Sequence, residues 1–204
     1  MKHQTVGIFP TPVLKFNLER EFTAEELQFF IENESTLKPN VGNKSGVDSF
    51  ILREKKLEGI KSFCEDALRA FYLRVYAPLE PEKSTLYITQ SWLNYSKPGE
   101  FHHTHYHPNS IASGVFYINT NDSDSIIFQK PVMQREINIS SNDTEFTTMD
   151  FPFTVKKCEL ILFPSTLWHT VPVVTGNETR ISLAFNSFVK GTIGNTENYT
   201  YLEL

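Results

Sequence analysis

Hydrophobic and polar positions change their rhythm twice along the chain. Residues 6–18 (VGIFPTPVLKFNL) mix β-branched and aromatic residues with Pro10 and Pro12, which suits an extended edge segment. Thr23-Ala-Glu-Glu26 then carries a capping-box pattern, followed by Leu27, Phe29, Phe30 and Ile31, and predicts a short helix over about 23–34. After a polar stretch at 35–50, Leu57, Ile60, Phe63, Ala67, Leu68 and Phe71 recur three or four residues apart. They predict the longest helix, which Pro78 and Pro81 stop. From Pro81 onward the chain turns to strands: LYITQSWLNYS, SIASGVFYIN, SIIFQ, CELILFP, HTVPVV and TRISLAFNSFV, parted by Gly, Pro, Asn and Asp. Six such runs predict a sandwich or barrel, and the helices pack on its outside as one α+β unit. Residues 130–157 are polar and irregular, bounded by Pro131 and Pro152, and are expected to be an excursion between strands with room for a short hairpin.

Composition narrows the function. With 204 residues and 40% apolar content, the chain fills one generous domain. The net charge of -5 is spread out, and no basic block stands ready to neutralise a run of phosphates, so nucleic acid is not an expected partner. A small or peptidyl substrate fits better. No apolar run reaches the length of a signal h-region or a membrane span, which points to a cytoplasmic protein with no membrane partner. Cys64 and Cys158 are expected as reduced thiols, and the scattered Asn-x-Ser/Thr triplets carry no function.

Four of the six histidines fall in Gly99-Glu-Phe-His-His-Thr-His-Tyr-His-Pro108. In an extended segment alternate residues share a face, so His103, His105 and His107 would project to one side and His102, Thr104 and Tyr106 to the other. Two imidazoles at that spacing can take neighbouring corners of one metal ion. His169, opening the strand after Phe163-Pro164, offers a third ligand from elsewhere in the fold, and three ligands on one side leave positions open, as in non-haem Fe(II) oxygenases. The plain alternative is a cluster of surface histidines without function. Arg180 stands inside an apolar strand with Ser182 on its face, and together they suit a clamp for one end of a dicarboxylate whose other end chelates the metal. A structural salt bridge to an acidic side chain is the competing role for Arg180.

The ordered set Trp92-x-Asn94, Gly99, His105-x-His107, Ser113-Gly-Val-Phe-Tyr117, Phe163-Pro-Ser-x-x-x-His169 and Arg180-x-Ser182-x-x-Phe-Asn186 resembles the Fe(II)- and 2-oxoglutarate-dependent oxygenases. It is similar to their prolyl-hydroxylase-like branch and to oxygenases of bacteria and phages. The likeness spans about 85–190. It implies a double-stranded β-helix (jelly-roll) core at 85–190, an N-terminal strand and supporting helices at 1–84, and a tail at 191–204, all in a single domain. It further implies Fe(II) held by His105, His107 and His169, with 2-oxoglutarate as cosubstrate and O2 as oxidant. Arg180 would take the distal carboxylate, Ser182 and Tyr117 would assist, and Asn94 would face the cavity, while Trp92 is assigned a structural place. His107 departs from the pattern, which has Asp or Glu there, and makes the triad three neutral imidazoles. Period two also permits a register in which His103 and His105 are the pair. The family places its pair just before a turn, here Pro108-Asn109-Ser110, which favours His105 and His107. Two rivals remain: a three-histidine, cupin-like dioxygenase without 2-oxoglutarate, and a non-catalytic metal-binding jelly-roll module. The substrate is unassigned, and the edge segment 6–18 leaves room for a homodimer.

Overall fold

A computed structural model describes residues 8–130 and 146–204, together with 2, 4, 142 and 144. The elements are β1 (Leu14–Asn17), α1 (Ala24–Asn33), β2 (Leu37–Pro39), β3 (Lys44–Gly46), α2 (Glu58–Val75), β4 (Ser84–Ser96), β5 (His102–His105), β6 (Ala112–Asn119), β7 (Ser125–Gln129), β8 (Asp150–Thr154), β9 (Glu159–Pro164), β10 (His169–Val171), β11 (Arg180–Ile193) and β12 (Leu202–Glu203). Helix α1 begins where the capping box puts it: the Thr23 hydroxyl accepts from the Glu26 N–H and the Glu26 carboxylate accepts from the Thr23 N–H. The same carboxylate is gripped by Arg20 at 2.6 Å, which satisfies an otherwise buried acid.

The strands form two sheets. The larger runs β1-β9-β6-β11-β4-β3-β2, with β12 pairing the far end of β11; the smaller runs β5-β10-β7-β8. Among the described residues every pairing between these strands is antiparallel, as in a jelly roll built by folding hairpins over one another. Strands β6, β9 and β11 are covered on both faces, which is why they read as near-continuous apolar runs. Phe116, Ile118, Leu160, Leu162, Leu183 and Phe185 pack with the helical residues Phe30, Ile60, Leu68 and Phe71. On the opposite face Tyr117, Ile161 and Phe163 meet Ile126 and Phe128 of the smaller sheet. Gly114 leaves room for the Phe185 ring, whose Cζ would lie 2.2 Å from an added Cβ.

Three expectations change in detail. Among the described residues of the edge segment, a strand forms only at Leu14–Asn17, on the outer edge of the larger sheet. The polar stretch 35–50 is not a plain loop: β2 and β3 form a hairpin whose tip, Asn40–Asn43, is closed by the Asn40 N–H donating to the Asn43 carbonyl, and β3 extends the sheet onto β4. Within 130–157, residues 131–141, 143 and 145 lie outside the described ones, and β8 occupies the later part, paired with β7. Cys64 is buried and Cys158 partly so, and both are free thiols. Among the described residues no helix is long and apolar enough to cross a membrane.

Candidate functional site

The smaller sheet brings the histidines together. His105 on β5 pairs with His169 on β10, which in turn pairs with Phe128 on β7, so the three stand in one cross-strand row. His107 lies two residues past the end of β5, and its N–H donates to the Ser165 carbonyl at 2.9 Å. The turn that follows places Asn109 at φ 56, a left-handed conformation that asparagine tolerates. Beneath it runs a serine network: Ser165 donates to Ser110 at 2.7 Å, Ser113 meets Ser165 at 2.8 Å, and Ser187 donates to the Ala112 carbonyl at 2.6 Å.

A nitrogen from each of His105, His107 and His169 lies within 4.8 Å of one from each of the others. His103 falls in a different group, with His102 and His105. Two rings of the first group are oriented by main-chain carbonyls: His105 Nδ1 donates to His103 O at 2.7 Å, and His169 Nδ1 donates to Leu167 O at 2.9 Å. A carbonyl only accepts, so in both rings Nδ1 carries the proton and Nε2 offers its lone pair. His169 Nε2 faces His107 Nε2 at 3.3 Å. Burial, with the neighbouring imidazoles adding to it, pushes His169 down to about 3; burial and His105 push His107 down to about 4, opposed by the Asn186 amide. His105 is lowered by burial as well. Neutral rings, two of them tied behind by a main-chain carbonyl, are the donor set a divalent transition metal takes, so the residues fit the ion that the sequence implies.

Arg180 begins β11 on the opposite wall of the same cavity, which Asn94, His102, His105, His107 and His169 also line. It is 3% exposed, and its Nε has no hydrogen-bond partner among the described residues. Its guanidinium carbon sits 5.1 Å from the centroid of the Tyr117 ring, and the Tyr117 hydroxyl is likewise buried and unpartnered. Burial drives that phenol up to about 12, with Arg180 pulling the other way. Asp124 is buried at 4.0 Å from Arg180 Nε, close enough to offset its charge but too far to satisfy it. Arginine and tyrosine donors left open side by side fit a carboxylate end. Asn94 accepts from Ser45 through its carbonyl oxygen at 3.2 Å, so its amide N–H groups are not spent on that bond. Ser182 is buried between Arg180 and Ala184 on that face of β11 but does not itself line the cavity.

Two sequence expectations are corrected. His102 does not point away from the metal pair; it lines the cavity, and its ring stacks on His105 with centroids 4.5 Å apart. The cause is a register shift in the β5–β10 pair, where His169 and Val171, two apart, face His105 and His102, three apart. The extra residue breaks the alternation that period two assumes. Trp92 is not merely structural either: it lines the cavity, and its ring faces His107 at 5.8 Å and 23°. Asp124 carries no motif of its own and only its tertiary neighbour Arg180 marks it, whereas Asn186 closes the Arg180 motif but shows its place beside His107 only in the folded chain.

A jelly roll with converging imidazoles on its smaller sheet and, among the described residues, an arginine open at Nε on its larger one has the fold of the solved 2OG-Fe(II) oxygenases. Residues 90–186, which hold the triad and Arg180, match the model of the family described as "Putative 2OG-Fe(II) oxygenase". Over those residues the chain is similar to the 2OG-Fe(II) oxygenases. Solved structures agree in fold. A prolyl hydroxylase from Trichoplax adhaerens, in complex with a hypoxia inducible factor oxygen degradation domain peptide fragment, is 16% identical with a TM-score of 0.58, covering 86% of this chain and 83% of that one. A prolyl-4-hydroxylase from Pseudomonas putida is 13% identical with a TM-score of 0.55, covering 86% and 92%. HygX from Streptomyces hygroscopicus, with nickel, 2-oxoglutarate and hygromycin B bound, is 11% identical with a TM-score of 0.53, covering 87% and 82%. No curated protein matches the chain by sequence.

Proposed function

We propose that the protein is an Fe(II)- and 2-oxoglutarate-dependent dioxygenase that hydroxylates a peptidyl or small-molecule substrate, with His105, His107 and His169 as the metal ligands. The observation that carries this is the meeting, in one cavity, of three neutral imidazoles with a buried arginine that lacks a partner at Nε among the described residues. Arg180 and the Tyr117 hydroxyl hold the distal carboxylate of the cosubstrate, Ser182 backs Arg180 on β11, and Asn94 offers its amide from the neighbouring strand. Bound ferrous iron supplies the activation of O2 that couples 2-oxoglutarate decarboxylation to hydroxylation. The protein's part is geometry: carbonyl ties hold the His105 and His169 rings, and Trp92 shields the flank of His107 from water. A peptidyl substrate is favoured by the peptide-bound Trichoplax relative and a small one by the hygromycin-bound Streptomyces relative.

Anaerobic titration of the Fe(II)-loaded protein with 2-oxoglutarate is expected to raise a metal-to-ligand absorption band, and admission of air to release succinate. Absence of both sinks the proposal. The all-histidine triad and the Asp124 carboxylate near Arg180 favour one rival, a three-histidine dioxygenase without 2-oxoglutarate. Full turnover by an Arg180→Ala variant would select it.

A further inference from the structure

His102 has no role in the metal triad, yet it lines the cavity that the triad and Arg180 share. Its ring stacks on His105 with centroids 4.5 Å apart, and Arg180 lies close enough for its charge to act on it. Its orientation is fixed from behind by the β2–β3 hairpin. Asn40 Nδ2 donates to Asn43 Oδ1 at 2.9 Å and lies 3.2 Å from His102 Nε2, while Asn43 Nδ2 donates to Ser96 Oγ at 3.4 Å. Because Asn43 spends its amide N–H on Ser96, its oxygen accepts, and Asn40 therefore presents N–H groups to both neighbours. His102 Nε2 must then be the acceptor, and the proton sits on Nδ1. No partner for that Nδ1–H exists among the described residues. The hairpin itself is immobilised: Phe101 N–H donates to the Gly42 carbonyl at 3.0 Å, and Gly42, at φ 89, fits so closely that an added Cβ would lie 2.6 Å from Phe101 O.

We propose that His102 is a cosubstrate-binding residue whose Nδ1–H donates to a carboxylate oxygen of 2-oxoglutarate lying between the triad and Arg180, with Asn40 acting as the positioning residue that sets its tautomer. The inference rests on the 2-oxoglutarate reading above. It makes the hairpin, and not only the strands that carry the triad and Arg180, part of the binding machinery. A neutral imidazole suits the task because a cation beside the triad would repel the metal, whereas an N–H dipole adds to the clamp without that repulsion.

The test uses the full chain loaded with redox-stable Mn(II), titrated with 2-oxoglutarate by calorimetry, and the metal-free chain examined by 15N NMR for the tautomer of His102. His102→Phe keeps a flat ring to stack on His105 but removes the donor; it is expected to weaken 2-oxoglutarate about ten- to hundredfold while Mn(II) affinity stays within about twofold. Asn40→Leu, which frees the tautomer, is expected to weaken it by a smaller factor and keeps the question open to experiment if the first variant does not fold. The NMR spectrum is expected to show the proton on Nδ1. Unchanged 2-oxoglutarate affinity in His102→Phe, loss of Mn(II) binding in that variant, or a proton on Nε2 would each overturn the proposal. If the wild type binds Mn(II) but never 2-oxoglutarate, the parent reading falls and takes this one with it. A wild type that binds both, beside a variant that binds both equally, removes only His102.

Discussion

Replacing Arg180 by methionine separates two jobs that one side chain performs. The guanidinium offsets the buried Asp124 at 4.0 Å, and it offers open donors to the cavity. Breaking a buried ion pair costs about 3–5 kcal/mol when the orphaned charge stays behind. Here the separation is long, and Asp124 keeps the Asn121 main-chain N–H at 2.9 Å, so a loss near about 3 kcal/mol is expected. The donors act on binding instead: two charge-assisted hydrogen bonds at about 1.5–3 kcal/mol each amount to at least a hundredfold in 2-oxoglutarate affinity. The triad lies across the cavity, so Mn(II) affinity should not move. Urea unfolding gives the first quantity, and calorimetry on the Mn(II)-loaded protein gives the second. The double variant Arg180→Met with Asp124→Asn should recover most of the stability and none of the binding. If Arg180→Met bound 2-oxoglutarate within threefold of wild type, the clamp assignment would be wrong. If the double variant were no more stable than the single one, Asp124 would not be the charge that Arg180 serves.

Three further outcomes follow from the same geometry. His107→Ala should lower Mn(II) affinity by at least about a hundredfold and His103→Ala by no more than a few-fold; the reverse order would install the His103 and His105 register. The metal-free protein should lose stability in acid. His102 and His169, held down to about 3, and His107, down to about 4, stay neutral when folded, whereas the unfolded chain takes up protons near 6.5. Stability is therefore complete above about pH 6.5 and falls below it, by about 2 kcal/mol by pH 5 for the buried His169 alone, and thermal melts that did not change between pH 7.5 and 5 would refute this. Gly114→Ala should destabilise by about 1–3 kcal/mol, because its Cβ would meet the Phe185 ring, and Phe185→Leu in the same chain should relieve part of the loss in urea unfolding.

Much of the fold was legible because it depends on local rules. The Thr23–Glu26 box starts α1 by satisfying its own end groups, the spacing from Leu57 to Phe71 gives α2 an apolar face, and the LILF run of β9 is apolar without a break because Leu160–Phe163 is buried on both sides. The candidate site was legible where a residue type is costly in its local setting: Arg180 in an apolar strand, and histidines crowded into one short segment. What the sequence by itself determined is therefore the kind of element at each place and the identity of the costly side chains. Only the tertiary structure decided which of them meet. The register shift that swings His102 into the cavity arises from β5 pairing with a strand more than sixty residues away, and no period within β5 records it. Asp124 became the counter-charge of Arg180, and Trp92 the wall beside His107, for the same reason: contact across strands distant in sequence is set by how the sheets close on one another, whereas alternation along a strand reports only which side a residue would face if the strand stayed regular.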